Sequence, residues 1–504
     1  MLKRIYLLTI AAAMSFCACE GPMGPAGTNG IDGENGVDGT DGIDGSDGAD
    51  APMAIQFENF SKTPALIMAK EGFTDVEVYS LLSSEDKFIN SPAFTFGGSA
   101  DGLGLAPMTD GYALLINNED NYAVSRIILD DTFKPIQGEY ILNSDGSGTR
   151  RCSATMATLQ EHGFGPLLLT AGESGVESQV QGIDPFANAA DANIAKHLPA
   201  LGRWNAENAV PLPASAYDET IILIGDDDSR QHGGQLAMYR SESVGDLSTG
   251  SVYVLKRTDE NMNERQMVVG QSYPVVFAEI ENAETNTGAQ NNQASTDLKA
   301  IPFGRVEDID YNKGNGKEIY FNVTGQGNGG DNSDNSRSVY GRVYKLMLSE
   351  DNPLEGTLEV ILDGDDRDSN AGTFQNPDNI CVGTNFLYVQ EDPNKYGNET
   401  HDAYIYQYNL TTKELKIAFE LDHGRNDADK TDANWFNGPS SAFGAWEYGG
   451  MISISDQIGI DDVFLLAIQP HTWKEERFKG VDGGSGRPNE MQGSQILILK
   501  GLPQ

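Results

Sequence analysis

The chain has 504 residues, enough for two or three ordinary domains or for one large domain built from repeats. It carries 75 Asp and Glu residues against 34 Lys and Arg residues, which gives a formal net charge of −41. Such a charge argues against nucleic acid as a partner, because basic groups must lie opposite its phosphates. An anionic substrate would need a local positive charge, most simply a bound metal ion.

The N-terminus has the features of a lipoprotein export signal. Lys3 and Arg4 form a basic start, and residues 5–16 are an apolar stretch too short to span a bilayer. Ala18 supplies the small residue that lipoprotein processing requires before Cys19. We therefore expect residues 1–18 to be a signal peptide and Cys19 to carry the lipid. This predicts a bacterial outer membrane lipoprotein whose body faces the periplasm or the cell surface; a simple secretory signal is the alternative.

A collagen-like segment follows the lipidated cysteine, and we assign residues 19–51 to a stalk. Gly occupies every third position from 21 to 48, which is the period that a collagen triple helix requires at its crowded axis. The pattern allows a homotrimer through this stalk. It contains only two prolines and many acids, so a flexible, extended, acidic spacer is the alternative.

From residue 52 to residue 504, short apolar or alternating runs are divided by Gly, Asn and Asp turns. Examples are residues 76–79, 251–255, 343–346, 404–408 and 495–499. Many short strands over about 450 residues predict an all-β fold, and we expect a six-bladed β-propeller with insertions. The last strand, residues 495–500, should pair with an N-terminal strand to close the ring. A pair of β-sandwiches is the alternative.

Carboxylates recur at the ends of these runs. Glu119 follows 113–116, Glu173 follows 166–169, Asp226 and Asp227 follow 221–224, and Glu391 and Asp392 follow 386–389, whereas Glu307 and Glu447 precede 319–321 and 463–466. Acids at one end of neighbouring buried strands meet if the strands pack around an axis. A ring of carboxylates repels itself unless cations lie inside it, so the pattern predicts a metal centre. The alternatives are ordinary surface acids and, for Asp226, Asp227 and Asp392, solvated turn residues.

Two cysteines remain after the predicted signal and lipid site. Cys152 and Cys381 could form a disulfide in an oxidising compartment, or either could be a buried thiol or a metal ligand. The six histidines are widely scattered and show no Ser-His-Asp arrangement. His471 is predicted to be structural, and Trp446 is predicted to lie in the core.

Short motifs follow one another in a fixed order from about residue 110 to the C-terminus. They are LINNE (115–119), RCSAT (151–155), GFGPLLLTAGE (163–173), GRWNAE (202–207) with GDD (225–227), FGRVED (303–308), NPDN (376–379), GAWEYGG (444–450) and QPH (469–471). This ordered set resembles the PhoX-type alkaline phosphatase family. Ala206 and Val306 depart from it, because the family often has His before the first Glu and has Pro before the second. The stretch after Cys152 also lacks the Gly-rich loop of the family.

The resemblance implies a six-bladed propeller whose central pocket holds calcium and iron ions. Carried over by position, Cys152 would be an iron ligand, and carboxylate ligands to iron or calcium would be Glu119, Glu173, Glu307, Asp378 and Glu447. Arg305 would be a catalytic residue that grips the phosphate of a phosphate-ester substrate. Carboxylates suit calcium and a thiolate selects a softer transition metal, so the donor types agree with this set.

The resemblance therefore implies a metal-dependent phosphomonoesterase on the bacterial cell envelope, which releases phosphate from organic phosphates. The alternative is a non-catalytic, calcium-stabilised propeller that acts as a surface binding or structural lipoprotein. A weaker third possibility is a hydrolase that acts on another ester or a lactone, since metal-containing propeller pockets also host such chemistry.

Overall fold

A computed structural model describes residues 55–424, 441–487 and 490–504, and residues 52–504 form one compact unit. The predicted signal peptide (1–18), Cys19 and the collagen-like stalk (19–51) lie outside the described residues. They therefore stay predictions. None of the helices in the described part of the chain is long and apolar enough to cross a bilayer.

The described chain is all-β, with short helices between the strands. In its first half the strands are β1 (Ile67–Ala69), β2 (Glu77–Ser83), β3 (Ala100–Met108), β4 (Gly111–Asn118), β5 (Ala123–Leu129), β6 (Pro135–Leu142), β7 (Ala154–Ala157), β8 (Leu167–Thr170), β9 (Gln181–Ile183), β10 (Ala206–Pro211), β11 (Thr220–Asp226) and β12 (Leu236–Ser241). In the second half they are β13 (Ser251–Arg257), β14 (Ser272–Ile280), β15 (Val306–Asn312), β16 (Asn315–Val323), β17 (Arg342–Leu348), β18 (Glu355–Asp363), β19 (Pro377–Val382), β20 (Phe386–Glu391), β21 (Tyr404–Asn409), β22 (Leu415–Leu421), β23 (Glu447–Ser453), β24 (Val463–Gln469) and β25 (Gln495–Lys500).

The helices lie in the connections. The α-helices are α1 (Ser144–Ser147), α2 (Leu159–His162), α3 (Gly288–Asp297) and α4 (Ser455–Ile458), and the 3₁₀ turns are Ala189–Asp191, Pro199–Leu201, Glu264–Gln266 and Glu476–Phe478. The longest helix, α3, begins with a capping box in which Thr287 and Gln290 bond each other's backbone N–H groups. Four of the five runs that the sequence predicted as strands lie within β13, β17, β21 and β25, and the fifth, residues 76–79, begins one residue before β2.

The strands form antiparallel meanders in a propeller-like arrangement. Strands β3 to β6 form one sheet, β7 to β9 another, and β19 to β22 a third that β1 extends. Strands β10 to β13 and β15 to β18 are two further meanders, which β14 joins into a single nine-stranded sheet by pairing with both β13 and β18. The last sheet has the order β2-β25-β24-β23, so the C-terminal strand pairs with an N-terminal one. That predicted closure is confirmed.

The first strand of each meander faces a common centre. Strand β3 lies against β7, β7 against β10, β10 against β15, β15 against β19, β19 against β23, and β23 against β3. These contacts close a ring of inner strands. Apolar side chains fill the spaces between neighbouring meanders: Leu103 and Leu114 pack with Leu465 and Ile498, for example, and all four are buried. Burying a leucine side chain contributes about 1.5–3 kcal/mol, so these layers hold adjacent meanders together.

Candidate metal centre

The antiparallel register brings two sets of acids to the same end of the ring. The start of each inner strand pairs with the end of the next strand, as in Ala100 with Asn118, Ala206 with Asp226, Val306 with Val323, Pro377 with Glu391 and Glu447 with Gln469. An acid near the start of a first strand and an acid just after a second strand are therefore neighbours. This register is the physical reason for the carboxylates at strand ends in the sequence.

A β-bulge recurs at the start of the inner strands. The pairing shifts between Ala100 and Leu103, between Ala206 and Asn208, between Val306 and Ile309, between Pro377 and Ile380, and between Tyr448 and Met451. A bulge re-aims the side chains beside it. The acids at or beside these bulges include Asp101, Glu207, Glu307, Asp378 and Glu447, which line one cavity, and Asp308, which does not line it.

Neighbouring meanders approach each other closely at these bulges, and two glycines make room for the approach. A Cβ atom on Gly102 would lie 2.3 Å from the backbone nitrogen of Ala154, and one on Gly225 would lie 2.3 Å from the carbonyl oxygen of Glu307. No side chain fits at such distances, so both glycines are required by the packing of the ring.

At this end of the ring lies a cavity of about 410 Å³, which we call the carboxylate chamber. Its lining includes ten carboxylates but four basic side chains: Asp101, Glu119, Asp120, Glu173, Glu207, Asp227, Glu307, Asp378, Asp392 and Glu447 against Arg150, Arg305, Lys395 and Lys474. The excess of negative charge in a buried space is large. Cations or protons must compensate it.

On one wall the structure brings together Glu119, Cys152 and Glu173, all three of them predicted ligands. The Sγ of Cys152 donates to Oε2 of Glu173 at 3.4 Å. The Nη1 of Arg150 lies 3.1 Å from Oε1 of Glu119 and 3.9 Å from Oε2 of Glu173. One ligand atom from each of the three residues lies within 4.8 Å of the others, so the group could hold a metal ion.

A second group joins the predicted ligands Glu307 and Asp378 to Glu207, again with ligand atoms within 4.8 Å of one another. Glu207 accepts a hydrogen bond from the backbone nitrogen of Ser153 at 3.0 Å. The Oδ1 atom of Asp378 is buried and has no hydrogen-bond partner. A buried carboxylate oxygen without a donor is costly, and a cation at this position would satisfy it.

A third group contains Asp101, Cys152 and Glu207. Asp101 accepts from the backbone nitrogen of Gly450 at 3.1 Å. Neither Asp101 nor Glu207 was among the predicted ligands. Both stand at the start of a first strand, and no apolar run precedes them in the sequence. The signal that could have identified Glu207 is its place within the GRWNAE motif.

The predicted ligand Glu447 also lines the carboxylate chamber. It does not join any of the groups of three found among residues 55–424, 441–487 and 490–504. Its Oε2 lies 3.2 Å from Nε2 of His471, whose Nδ1 lies 2.6 Å from Oε1 of Gln492. His471 therefore lies in the wall of the chamber, where its ring orients Glu447.

The predicted catalytic residue Arg305 is surrounded by acceptors. Its Nε and Nη2 bond the two carboxylate oxygens of Asp227 at 2.6 and 2.9 Å, and Nη2 also lies 3.0 Å from Oε1 of Glu307. Its Nη1 donates to Oδ1 of Asn394 at 2.9 Å. The backbone φ of Arg305 is +72°, in the left-handed region that non-glycine residues rarely adopt. Such residues cluster at functional sites.

Asp227 and Asp392, which the sequence left open between a site and a solvated turn, both line the carboxylate chamber. Asp226 is buried beside them, and its Oδ1 accepts from the backbone nitrogen of Asn205 at 3.0 Å. Glu391 is buried elsewhere, where it accepts from the backbone nitrogens of Gln375 and Tyr404. The solvated-turn alternative is wrong for Asp226 and Asp227, because both are buried; Asp392 is half-buried.

Burial raises the pKa of the carboxyls in the chamber, because an ionised group loses its hydration there. The pKa of Glu119 rises to about 7 and that of Glu207 to about 8. The pKa values of five others are well above the ordinary range, also chiefly through burial and then through neighbouring acids: Asp101, Glu173, Glu307, Asp378 and Glu447. The pKa of the Cys152 thiol is raised for the same reasons.

Cys152 and Cys381 are both free, buried thiols. The disulfide alternative is therefore wrong. Cys381 lies in the core beside Tyr388, away from the chamber, so of these two thiols Cys152 is the one placed to meet a metal ion together with carboxylates. Trp446 is fully buried, as predicted.

The family model of alkaline phosphatase PhoX matches residues 180–430 of this chain. That stretch includes Glu207, Asp227, Arg305, Glu307 and Asp378 and leaves out Asp101, Glu119, Cys152, Glu173 and Glu447. The match supports the resemblance seen in the short motifs and a phosphatase-type function. No match was found among the curated proteins.

Solved structures that resemble the fold are distant. A mutant α-L-arabinofuranosidase from Fusarium graminearum is 10% identical, with 84% of this chain and 98% of that chain covered and a TM-score of 0.32. The β-propeller domain of the Trilobed protease from Pyrococcus furiosus is 10% identical, with 75% and 92% covered and a TM-score of 0.29. At these values the likeness carries no argument about activity.

Proposed function

We propose that this protein is a metal-dependent phosphomonoesterase of the bacterial cell envelope that releases phosphate from organic phosphates. The observation that carries the proposal is the carboxylate chamber, in which ten acids and the thiol of Cys152 converge at one end of a ring of strands. A phosphate monoester is a dianion, and bare carboxylates repel it. The match to the PhoX alkaline phosphatase model supports the same function.

The proposed architecture is a six-bladed propeller. It is supported by the closed ring of contacts from β3 through β7, β10, β15, β19 and β23 back to β3. In this interpretation the nine-stranded sheet counts as two blades, which β14 joins at their outer edges. The pairing of β2 with β25 completes the last blade.

We propose calcium and iron as the ions, and the donors in the chamber fit both. Carboxylate oxygens are the ligands that calcium prefers, and they predominate in the group formed by Glu207, Glu307 and Asp378. A thiolate selects a softer transition metal, and the other two groups share Cys152. The ions, when bound, supply the positive charge that neutralises the phosphoryl oxygens of the substrate.

Arg305 binds and orients the phosphoryl group in this proposal. Its guanidinium lines the carboxylate chamber, where Asp227, Glu307 and Asn394 fix its plane. The contacts with Asp227 and Glu307 engage Nε and Nη2. Nη1 has two N–H groups and gives one to Asn394, so the other can donate to a phosphate oxygen. Arg150 contacts Glu119 and Glu173 and keeps these two carboxylates side by side.

The envelope location follows from the predicted lipid on Cys19 and the Gly-X-Y stalk. A Cys19→Ala variant should leave the membrane fraction and become soluble, whereas the parent protein stays with the membrane. Protease treatment of whole cells distinguishes a body on the cell surface from one in the periplasm. Sedimentation of the full chain, compared with a chain that lacks residues 20–51, tests whether the stalk forms a homotrimer.

The test of the activity is metal content and turnover of p-nitrophenyl phosphate, measured on the same sample of full-length protein. Cys152→Ser should lose iron and turnover, because it removes the thiol that lies with these carboxylates. Cys381→Ser is the matched control, since Cys381 is also a free, buried thiol. It should keep both iron and turnover.

The opposite result identifies the alternative function. Calcium without iron, together with no turnover after reloading with iron, leaves a calcium-stabilised propeller that acts as a surface binding or structural lipoprotein. Turnover that survives in Cys152→Ser with unchanged iron would refute the assigned role of Cys152.

A further inference from the structure

We propose that a second cavity beside the carboxylate chamber is a leaving-group subsite that selects phosphate esters with a planar aromatic leaving group, with Tyr396 as its platform. The inference rests on the phosphomonoesterase function proposed above. Nucleoside monophosphates and aryl phosphates share this chemistry, whereas glycerol phosphate lacks it.

The second cavity has a volume of about 480 Å³ and adjoins the chamber. Glu173, Asp227, Arg305 and Asn394 line both cavities. A phosphoryl group bound at Arg305 therefore lies at their junction. The rest of the ester has room in the second cavity, outside the carboxylate chamber.

The second cavity suits an uncharged group. Three acids line it, against ten in the chamber. Two of the three are neutralised by ion pairs: Asp227 bonds Arg305 at 2.6 Å, and Asp228 bonds the Nε of Arg230 at 2.7 Å. The remaining lining is mainly glycine, amide side chains and Tyr396.

Tyr396 is an exposed aromatic side chain in a braced position. It is 39% exposed, and its ring meets Tyr340 edge-to-face, with the centroids 6.2 Å apart and the planes at 85°. The guanidinium of Arg367 lies over the Tyr340 ring, 4.2 Å from its centroid, and holds that ring in place. A Cβ atom on Gly327 would lie 3.4 Å from the Tyr396 ring, an ordinary contact distance, so Gly327 lies directly beside the ring. A rigid, exposed ring is well suited to stacking.

The amide side chains of the second cavity are already bonded to the protein. Gln326 donates to the carbonyl of Ser229 and accepts from Arg337, while Asn205 accepts from Gly175 and donates to Asp227. Asn394 accepts from Arg305. These bonds hold the three amide groups in fixed orientations. Recognition through the ring face alone predicts that different nucleobases are accepted about equally.

The test compares adenosine 5′-monophosphate with glycerol 3-phosphate as substrates of the full-length, metal-loaded protein. Stacking on an aromatic side chain contributes about 1–3 kcal/mol, and 1.4 kcal/mol is about tenfold. In Tyr396→Ala the ratio of the two kcat/KM values should fall about tenfold, and Tyr396→Phe should retain the parent ratio. The matched control is Phe186→Ala, because Phe186 is 48% exposed and lines neither cavity. Its ratio should not change.

Calorimetric binding of adenosine 5′-monophosphate and of glycerol 3-phosphate to the same proteins separates the two proposals. If no ester is turned over, the phosphomonoesterase function fails. In that case tighter binding of the nucleotide, lost in Tyr396→Ala and kept in Tyr396→Phe, still supports the subsite. The subsite is overturned if the two esters bind with equal affinity or if neither binds. It is also overturned if Tyr396→Ala leaves the ratio of the two kcat/KM values unchanged.

Discussion

Metal-free protein should lose stability as the pH rises from about 5 to about 8.5. Burial raises the pKa of Glu119 from 4.5 to about 7 and that of Glu207 from 4.5 to about 8. At a pH between the unfolded pKa and the folded pKa of each group, the folded chain holds a proton that the unfolded chain has released. The stability that these protons contribute is fully present below the unfolded pKa. It is lost as the pH rises through the two folded values.

The size of the loss follows from the same pKa values. A difference of one in pKa corresponds to about 1.4 kcal/mol, so ionising Glu119 and Glu207 in the folded chain costs about 3 and about 5 kcal/mol. With an unfolding entropy of about 2 cal/mol/K per residue over about 450 residues, the two together lower Tm by about 8 °C. Calcium binds the ionised form and should remove most of this dependence.

The assay is thermal unfolding of the full-length protein in EDTA and in calcium, at intervals from pH 5 to pH 8.5. The double variant Glu119→Gln, Glu207→Gln should show a smaller fall in Tm across this range in EDTA than the parent protein, because the other chamber carboxyls with raised pKa values remain. Glu281→Gln is the control, because Glu281 is exposed. A Tm that rises with pH in EDTA, or a calcium effect of equal size at pH 5 and at pH 8.5, would refute the reasoning.

Two further substitutions test the phosphate site and the ring. Arg305→Lys should lower kcat/KM for phosphate esters by about 10- to 100-fold, with a rise in KM, because a lysine cannot bond Asp227 bidentately and also donate to the phosphate. Unchanged kinetics with intact metal content would exclude Arg305 from phosphate binding. Gly225→Ala should lower the free energy of unfolding by about 1–3 kcal/mol, because its Cβ would meet the carbonyl oxygen of Glu307. Gly314→Ala is the control: its Cβ would have its nearest atoms at 3.2 Å, so it should lower the free energy of unfolding much less. Equal denaturant midpoints for the two glycine variants would contradict this account of the ring.

The sequence was sufficient to predict the all-β class and the closing strand, because both depend on local patterns. Alternating and apolar runs identify β13 and β21 without any knowledge of the sheet to which they belong. The pairing of β2 with β25 follows from the need to cover two edge strands. The joining of two meanders by β14 was not predictable, since β14 gives no sign of which strand edges it meets.

The acids of the chamber also divide into some that the sequence could identify and some that it could not. Glu119 and Glu173 were identifiable because each follows a buried strand that the sequence marks clearly. Asp101 and Glu207 were missed because they stand beside bulges at the start of first strands, and a bulge depends on the register with the next strand. Asp227 looked like a turn residue because its burial beside Arg305, which belongs to another meander, is not visible in its own sequence.

The three groups of candidate ligands are linked by shared residues. Cys152 belongs to two of them and Glu207 to two, so the groups form a chain from Glu119 and Glu173 to Glu307 and Asp378. A ligand shared by two ions is already deprotonated and oriented when the second ion arrives. In the proposed function the ions therefore enter as a coupled cluster. Loss of Cys152 should weaken calcium binding at the groups that contain Glu207, not only the binding of iron.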